Sequence, residues 1–175
     1  MPVPLCSLSG KFYRTISVNQ IDRVLAPPVL RSAGRYHRHG QEALYMSPSL
    51  DWARTAVSGY MREELKPRFV FTLEVIGAQI FDQRNLSACR DIGVDRDTSN
   101  RPWRKALKDG KEPTSWLVSD RIRDLNADGL IDVSRHIPNG WHLVLFKWNE
   151  NGGPKVRVTG GPEIVHPKLE GPKWS

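Results

Sequence analysis

The chain has 175 residues, of which 39% are hydrophobic and 26% charged, an ordinary composition for a soluble globular protein. No apolar run approaches the roughly 20 residues that cross a bilayer, and the opening MPVPLCSLSGKFYR has no basic stretch followed by an apolar core. A membrane span and a secretory signal are therefore set aside, and the cytoplasm is the expected location. The net charge of +7 and pI near 9.7 favour an anionic partner: a nucleic acid, a phosphorylated small molecule or an acidic protein.

In chain order, strands are expected at KFYRTI, ALYM, the alternating RFVFTLEVI (Arg68 to Ile76), GLIDV and WHLVLFKW (Trp141 to Trp148), where apolar and β-branched residues recur with period two. A helix is expected after Ser47, capped by it, with Pro48 at the first helical position and Asp51 in the first turn, running to about Lys66 before Pro67. Its apolar positions are Leu50, Trp52, Ala53, Val57, Tyr60, Met61 and Leu65. Two more helices are expected at Pro102 to Lys108 and at Thr114 to Asn126, ended by Gly110 and Gly129. The second has Thr114 as its cap and Trp116, Leu117, Ile122 and Leu125 toward the core. Cys6 and Cys89 have no CxxC spacing and read as plain thiols. From residue 149 the chain is rich in Gly and Pro, so beyond one strand at Lys155 to Thr159 an extended tail is expected to 175. With strands early and late and helices between them, the class is α+β in a single domain spanning 1–175.

DLNADGLIDVSR (Asp124 to Arg135) imitates a calcium loop, with Asp124, Asn126 and Asp128 at positions 1, 3 and 5 and Gly129 at 6. Position 12 is Arg135, a donor that cannot ligate a cation, and no second helix follows. The stretch reads instead as a helix end and turn, after which Leu130 to Val133 form a strand whose end presents Ser134, Arg135 and His136.

Between Arg31 and Gly40 the sequence gathers Arg31, Arg35, Arg38, His37 and His39 around two glycines, just before a tyrosine strand and a helix start. Several donors beside a helix N-terminus suit an anion such as phosphate. His37 and His39 lie two apart, but no further His or Asp motif completes a metal ligand set, so no metal is expected. No GxSxG motif supports a serine hydrolase.

These pieces, AGRYHRHG (Ala33 to Gly40), EALYMSPS (Glu42 to Ser49), DGLIDVSR (Asp128 to Arg135) and WHLVLF (Trp141 to Phe146), resemble in order and spacing the RES-domain family, named for Arg, Glu and Ser and related in fold to the ADP-ribosyltransferases. The resemblance covers about residues 12–148. It implies an ADP-ribosyltransferase-like split β-sheet with flanking helices. It also implies a toxin that takes NAD+ as substrate and cleaves its nicotinamide–ribose bond by hydrolysis, phosphorolysis or ADP-ribosyl transfer to a protein target. The partner implied is an antitoxin with a helix-turn-helix domain.

Carried onto this chain, the resemblance makes Arg35, Tyr45 and Ser134 the catalytic set, and Arg31, Gly34, Arg35, Tyr36, His37, Tyr45 and Ser47 the residues holding the dinucleotide. Arg35 would clamp the diphosphate with its planar fork, Tyr45 would face nicotinamide, and Ser134 would offer a hydroxyl to the ribose or the carboxamide. Tyr36 stands where the family has Trp, and His37 where it has Asn. The family's glutamate falls at Ala56, and the nearby carboxylates Asp51, Glu63, Glu64 and Glu74 offer no spacing that singles out a substitute. Arg54, close to the same helix face, reads as an exposed helix position rather than a phosphate contact. The alternative reading, from charge alone, is a basic nucleic-acid-binding module without catalytic activity, for which no helix-turn-helix, zinc spacing or RNP motif is present.

Overall fold

The longest alternating run in the sequence becomes the strand on which the rest is assembled. A computed structural model describes residues 4–29 and 32–166. Its strands are β1 (Cys6–Ser17), β2 (Leu44–Met46), β3 (Arg68–Asp82), β4 (Gly129–Val133), β5 (Trp141–Leu145) and β6 (Lys155–Val165). The helices between them are α1 (Leu50–Glu64), α2 (Leu86–Asp91), α3 (Arg96–Ser99), α4 (Trp103–Lys108) and α5 (Thr114–Asp124). The α+β class, with a mixed six-stranded sheet and flanking helices, is the one expected.

The sheet order is β1-β3-β4-β5-β2, with β6 also on β3. One edge of β3 pairs antiparallel with β1 from Arg68 to Ile80. The other edge is divided: β6 takes residues 68–76 antiparallel, and β4 takes 80–82 parallel. Gly77 lies between the two stretches at φ +72°, a conformation that favours glycine. The far ends of the strand path then meet, because Tyr13 and Ser47 exchange backbone hydrogen bonds of 2.7 and 2.9 Å. The sheet thus curls until its first and last strands touch.

Period-two alternation sends neighbouring residues to opposite faces. Ile80, Ile131, Leu143 and Leu145 join one apolar cluster with Phe12, Leu44 and Leu73. Phe81, Leu130 and Val144 join a second cluster, completed by Val118 and Ile122 of α5 and Ala88 and Cys89 of α2.

Several boundaries differ from the sequence reading, some of them for a tertiary reason. Ser47 is held by Tyr13, so the cap of α1 passes to Ser49, whose Oγ accepts from Trp52 N at 3.4 Å. The helix ends in Leu65 at φ 52°. Thr114 does not cap α5; its Oγ1 donates to Thr98 O at 2.8 Å, and Pro113 occupies the cap position. Leu117 points outward and is 63% exposed, whereas Trp116 and Ile122 are buried. Gly129 opens β4, and Asn126 at φ 57° makes the turn out of α5. The strand expected at Lys155–Thr159 runs on to Val165 because the divided edge of β3 is there to pair with it; residues 167–175 lie outside the described residues.

Asp128 shows what the calcium-like stretch does. It is 4% exposed, its Oδ2 accepts from Gln79 N at 2.7 Å, and its Oδ1 lies 3.2 Å from Lys147 Nζ. Its backbone N–H donates to Gln79 O, and its carbonyl accepts from Phe146 N, so one residue ties β3 to the end of β5. Asp124 is exposed and ties nothing comparable. Asp128→Ala should therefore lower stability by about 2–3 kcal/mol in urea unfolding, because a buried N–H loses its charged acceptor. Asp124→Ala should shift it by less than about 0.5 kcal/mol, and calcium should alter neither melt.

Candidate functional site

Where the curled sheet closes, a cavity of about 730 Å³ opens between the ends of the central strands, the inner face of α1, the start of α4 and the loop around residues 32–37. Its volume lies within the usual range for small-molecule and cofactor sites.

The loop is fixed by its carbonyls. Trp116 Nε1 donates to Gly34 O at 2.8 Å, Ser115 Oγ to Arg35 O at 2.5 Å, and Arg123 Nη2 to Tyr36 O at 3.1 Å. All three donors are on α5. Gly34 N closes the turn onto His37 O at 3.0 Å. A Cβ on Gly34 would sit 2.5–2.7 Å from the His37 ring and 2.7 Å from the Tyr45 hydroxyl, so glycine is required here by close approach.

Side chains of the loop then divide between support and cavity. Tyr36 is fully buried; its hydroxyl shares a 2.8 Å hydrogen bond with Ser99 Oγ and donates to Asp132 Oδ1 at 2.5 Å. Tyr45 OH accepts from Tyr36 N at 3.0 Å and lies 2.8 Å from His37 Nδ1. Burial holds the His37 pKa down to about 4, with Arg123 and His39 adding to the depression; the ring is neutral near pH 7. Arg35 directs Nη1 to Ser99 O at 3.1 Å and Arg101 O at 3.3 Å. Its Nε and Nη2 make no hydrogen bond among the described residues and remain for a ligand.

From the other wall come β4 and β5. Asp132 and His142 are cross-strand partners and so share a face. Burial raises the Asp132 carboxyl to about 6, against the opposing pull of Arg35. His142 Nδ1 lies 2.7 Å from Ser47 Oγ, and burial, helped by Arg35 and His136, lowers that imidazole to about 4. Just past β4, Ser134 Oγ accepts from His136 N at 3.2 Å and Ile137 N at 3.1 Å. It therefore shapes the 134–140 turn, and its proton remains to donate into the cavity.

The structure brings Gly34, Arg35, Tyr36, His37, Tyr45, Ser47 and Ser134 to this one cavity, while Arg31 lies outside the described residues. Tyr45 arrives with its hydroxyl engaged, and Tyr36 and His37 are buried supports. Arg38 instead pairs with Asp120 at 2.5 Å and Glu112 at 2.7 Å. Arg54 pairs with Asp51 at 3.7 Å on an exposed turn of α1. No group of three or more His, Cys, Asp or Glu among the described residues is arranged to hold a metal ion. The sequence reading missed Asp132 and His142, and it also missed Arg104, whose guanidinium stacks 3.8 Å from the Tyr60 ring at the cavity wall.

A family model described as RES domain matches residues 11–167. The chain belongs to the RES-domain family. Its fold is similar to one in a solved structure, described as the crystal structure of the M. tuberculosis MbcT–MbcA toxin–antitoxin complex, at a TM-score of 0.64 and 14% identity. That match covers 93% of this chain and 86% of the other. No curated protein matches.

Within this RES domain, Ala56 is exposed in the cavity wall, at the position where the family resemblance implies a glutamate. Asp51 faces outward with Arg54, and Glu74 pairs with Arg157 away from the cavity. His37 and His142 both have lowered pKa values, so between pH 6.5 and 4 the unfolded chain binds more protons through them than the folded one. Asp132 has the opposite sign over about pH 4–6 and offsets part of the effect. Stability should fall as pH drops from 6.5 to 4 in urea unfolding, and NMR titration should place His37 and His142 near 4.

Proposed function

We propose that this RES domain is the toxin of a toxin–antitoxin pair and that its cavity binds NAD+ and cleaves the nicotinamide–ribose bond. The observation that carries the reading is Arg35, held from behind by two carbonyls and with the open side of its guanidinium in a cavity of dinucleotide scale. A planar fork of this kind bonds phosphate oxygens in pairs. Family membership and the fold shared with a toxin–antitoxin complex support the same reading, and an antitoxin, with a helix-turn-helix domain in the family pattern, is the proposed partner.

Cleavage breaks the C1′–N bond, and its electron pair leaves with nicotinamide, which becomes neutral. Positive charge develops on C1′ and the ring oxygen. Water, phosphate or a protein side chain then bonds to C1′, and its proton passes to solvent or to a nearby base. The work required of the protein is to hold the dinucleotide in a reactive shape and to stabilise that charge. Arg35 fixes the diphosphate. Ser134 has a proton to donate to a ribose hydroxyl or the carboxamide oxygen. The Tyr45 ring lines the cavity while its hydroxyl sets the loop.

Incubation with NAD+ should release nicotinamide, measured by chromatography, with or without an added acceptor. Arg35→Ala should weaken NAD+ binding in calorimetry by about 10- to 100-fold, the equivalent of one lost charged hydrogen bond or pair, and should relieve growth inhibition on expression. No release and no binding by the wild-type protein would remove the reading. The nucleic-acid alternative would then require binding that falls steeply with salt.

A further inference from the structure

The cavity is strongly cationic, with Arg14, Arg35, Arg68, Arg104 and Arg135 in its walls, and a reaction that builds positive charge on a ribose would be opposed by such a field unless an anion stands close to the reacting carbon. Two carboxylates line it, Glu63 and Asp132. Glu63 is exposed on the last turns of α1. Elsewhere α1 presents only uncharged groups to the cavity, Ala53, Ala56 and Tyr60 among them.

Asp132 differs in every respect that matters. It stands at the end of β4 on the floor, beside Arg35, and shares a sheet face with His142. Its Oδ1 is fixed by the buried Tyr36 hydroxyl, which α5 holds through the Tyr36 carbonyl. Its Oδ2 accepts no hydrogen bond among the described residues, so one oxygen is anchored and the other remains to face a ligand. An anchored carboxylate does not need to reorganise when charge develops, which is the condition for strong electrostatic stabilisation.

We propose that Asp132 is the carboxylate that faces the developing ribosyl cation, supplied from the sheet floor because the α1 wall at Ala56 supplies none. This rests on the NAD+ reading of the cavity. As C1′–N breaks, Asp132 stabilises the charge on C1′. When water attacks, the same carboxylate can take the water proton, giving ADP-ribose and returning the proton to solvent.

Nicotinamide release and NAD+ affinity, measured at pH 8 where Asp132 is ionised, separate the possibilities. Asp132→Asn keeps an acceptor for Tyr36; its kcat should fall at least 10-fold, with Kd for NAD+ changed by less than about 3-fold. Asp132→Glu should retain at least a tenth of wild-type turnover. A fall smaller than 10-fold for Asp132→Asn would overturn the assignment, as would a loss confined to Kd. An Asp132→Glu protein that is folded by thermal melt but inactive would overturn it too, and that arm decides should Asp132→Asn fail to fold. A wild-type protein that neither binds nor cleaves NAD+ strikes the underlying reading, whereas an active wild type with an insensitive Asp132→Asn strikes this inference alone.

Discussion

The site depends on the capture of three successive carbonyls, Gly34, Arg35 and Tyr36, by Trp116, Ser115 and Arg123 of α5. A loop that lines a cavity has polar backbone groups with no strand or helix to satisfy them, and leaving one unpaired in a buried place costs about 1–3 kcal/mol. Here every one of those carbonyls has a donor, and each donor fixes a direction. Arg35 is thereby aimed across the cavity, and Tyr36 is aimed into the wall, where its hydroxyl meets Asp132 and Ser99. One helix consequently sets the position of both a guanidinium and a carboxylate that lie far apart in sequence.

How much of this was legible follows from which signals are local. The strands came through because period two is written directly in β3, β4 and β5, and the edge at β6 was undercounted because Gly160, Gly161 and Pro162 read as loop while β3 still had an edge to pair. The short helices α2 and α3 rest on single caps, Asn85 and Asp95, too little sequence for periodicity to show. At Ser47 a good local cap was overridden by a distant partner, Tyr13, which no window of neighbouring residues contains.

The site divides the same way. Arg35, Tyr45 and Ser134 sit in motifs, which is why the sequence singles them out, and all three line the cavity. Asp132 lies in one of those motifs too, two residues before Ser134, yet alternation alone reads it as the polar side of a strand. Its importance depends on the β4–β5 register that sets it opposite His142, and on a tyrosine 96 positions away. Sequence proximity to Ala56 points only to Asp51, Glu63, Glu64 and Glu74, whereas the cavity is lined from five strands and so brings in groups that proximity cannot rank.

The basic composition also takes on a different meaning once the arginines are placed. Arg14 directs Nε to Val24 O and Nη1 to Tyr45 O, and Arg68 directs Nη2 to Thr15 O. Burial lowers the pKa of both, as expected of cations used as struts. Arg38 is neutralised by two carboxylates, and Arg123 lies against the Phe146 ring. What remains directed at the cavity is concentrated around Arg35, Arg135 and Arg104, on concave walls where field lines converge and an anion is drawn inward. A duplex backbone is served best by charges spread over an exposed face, so this distribution favours a small phosphorylated ligand. Under the NAD+ cleavage proposed above, the same concentration of positive charge gives the anchored Asp132 its proposed role as counterweight to a cationic transition state.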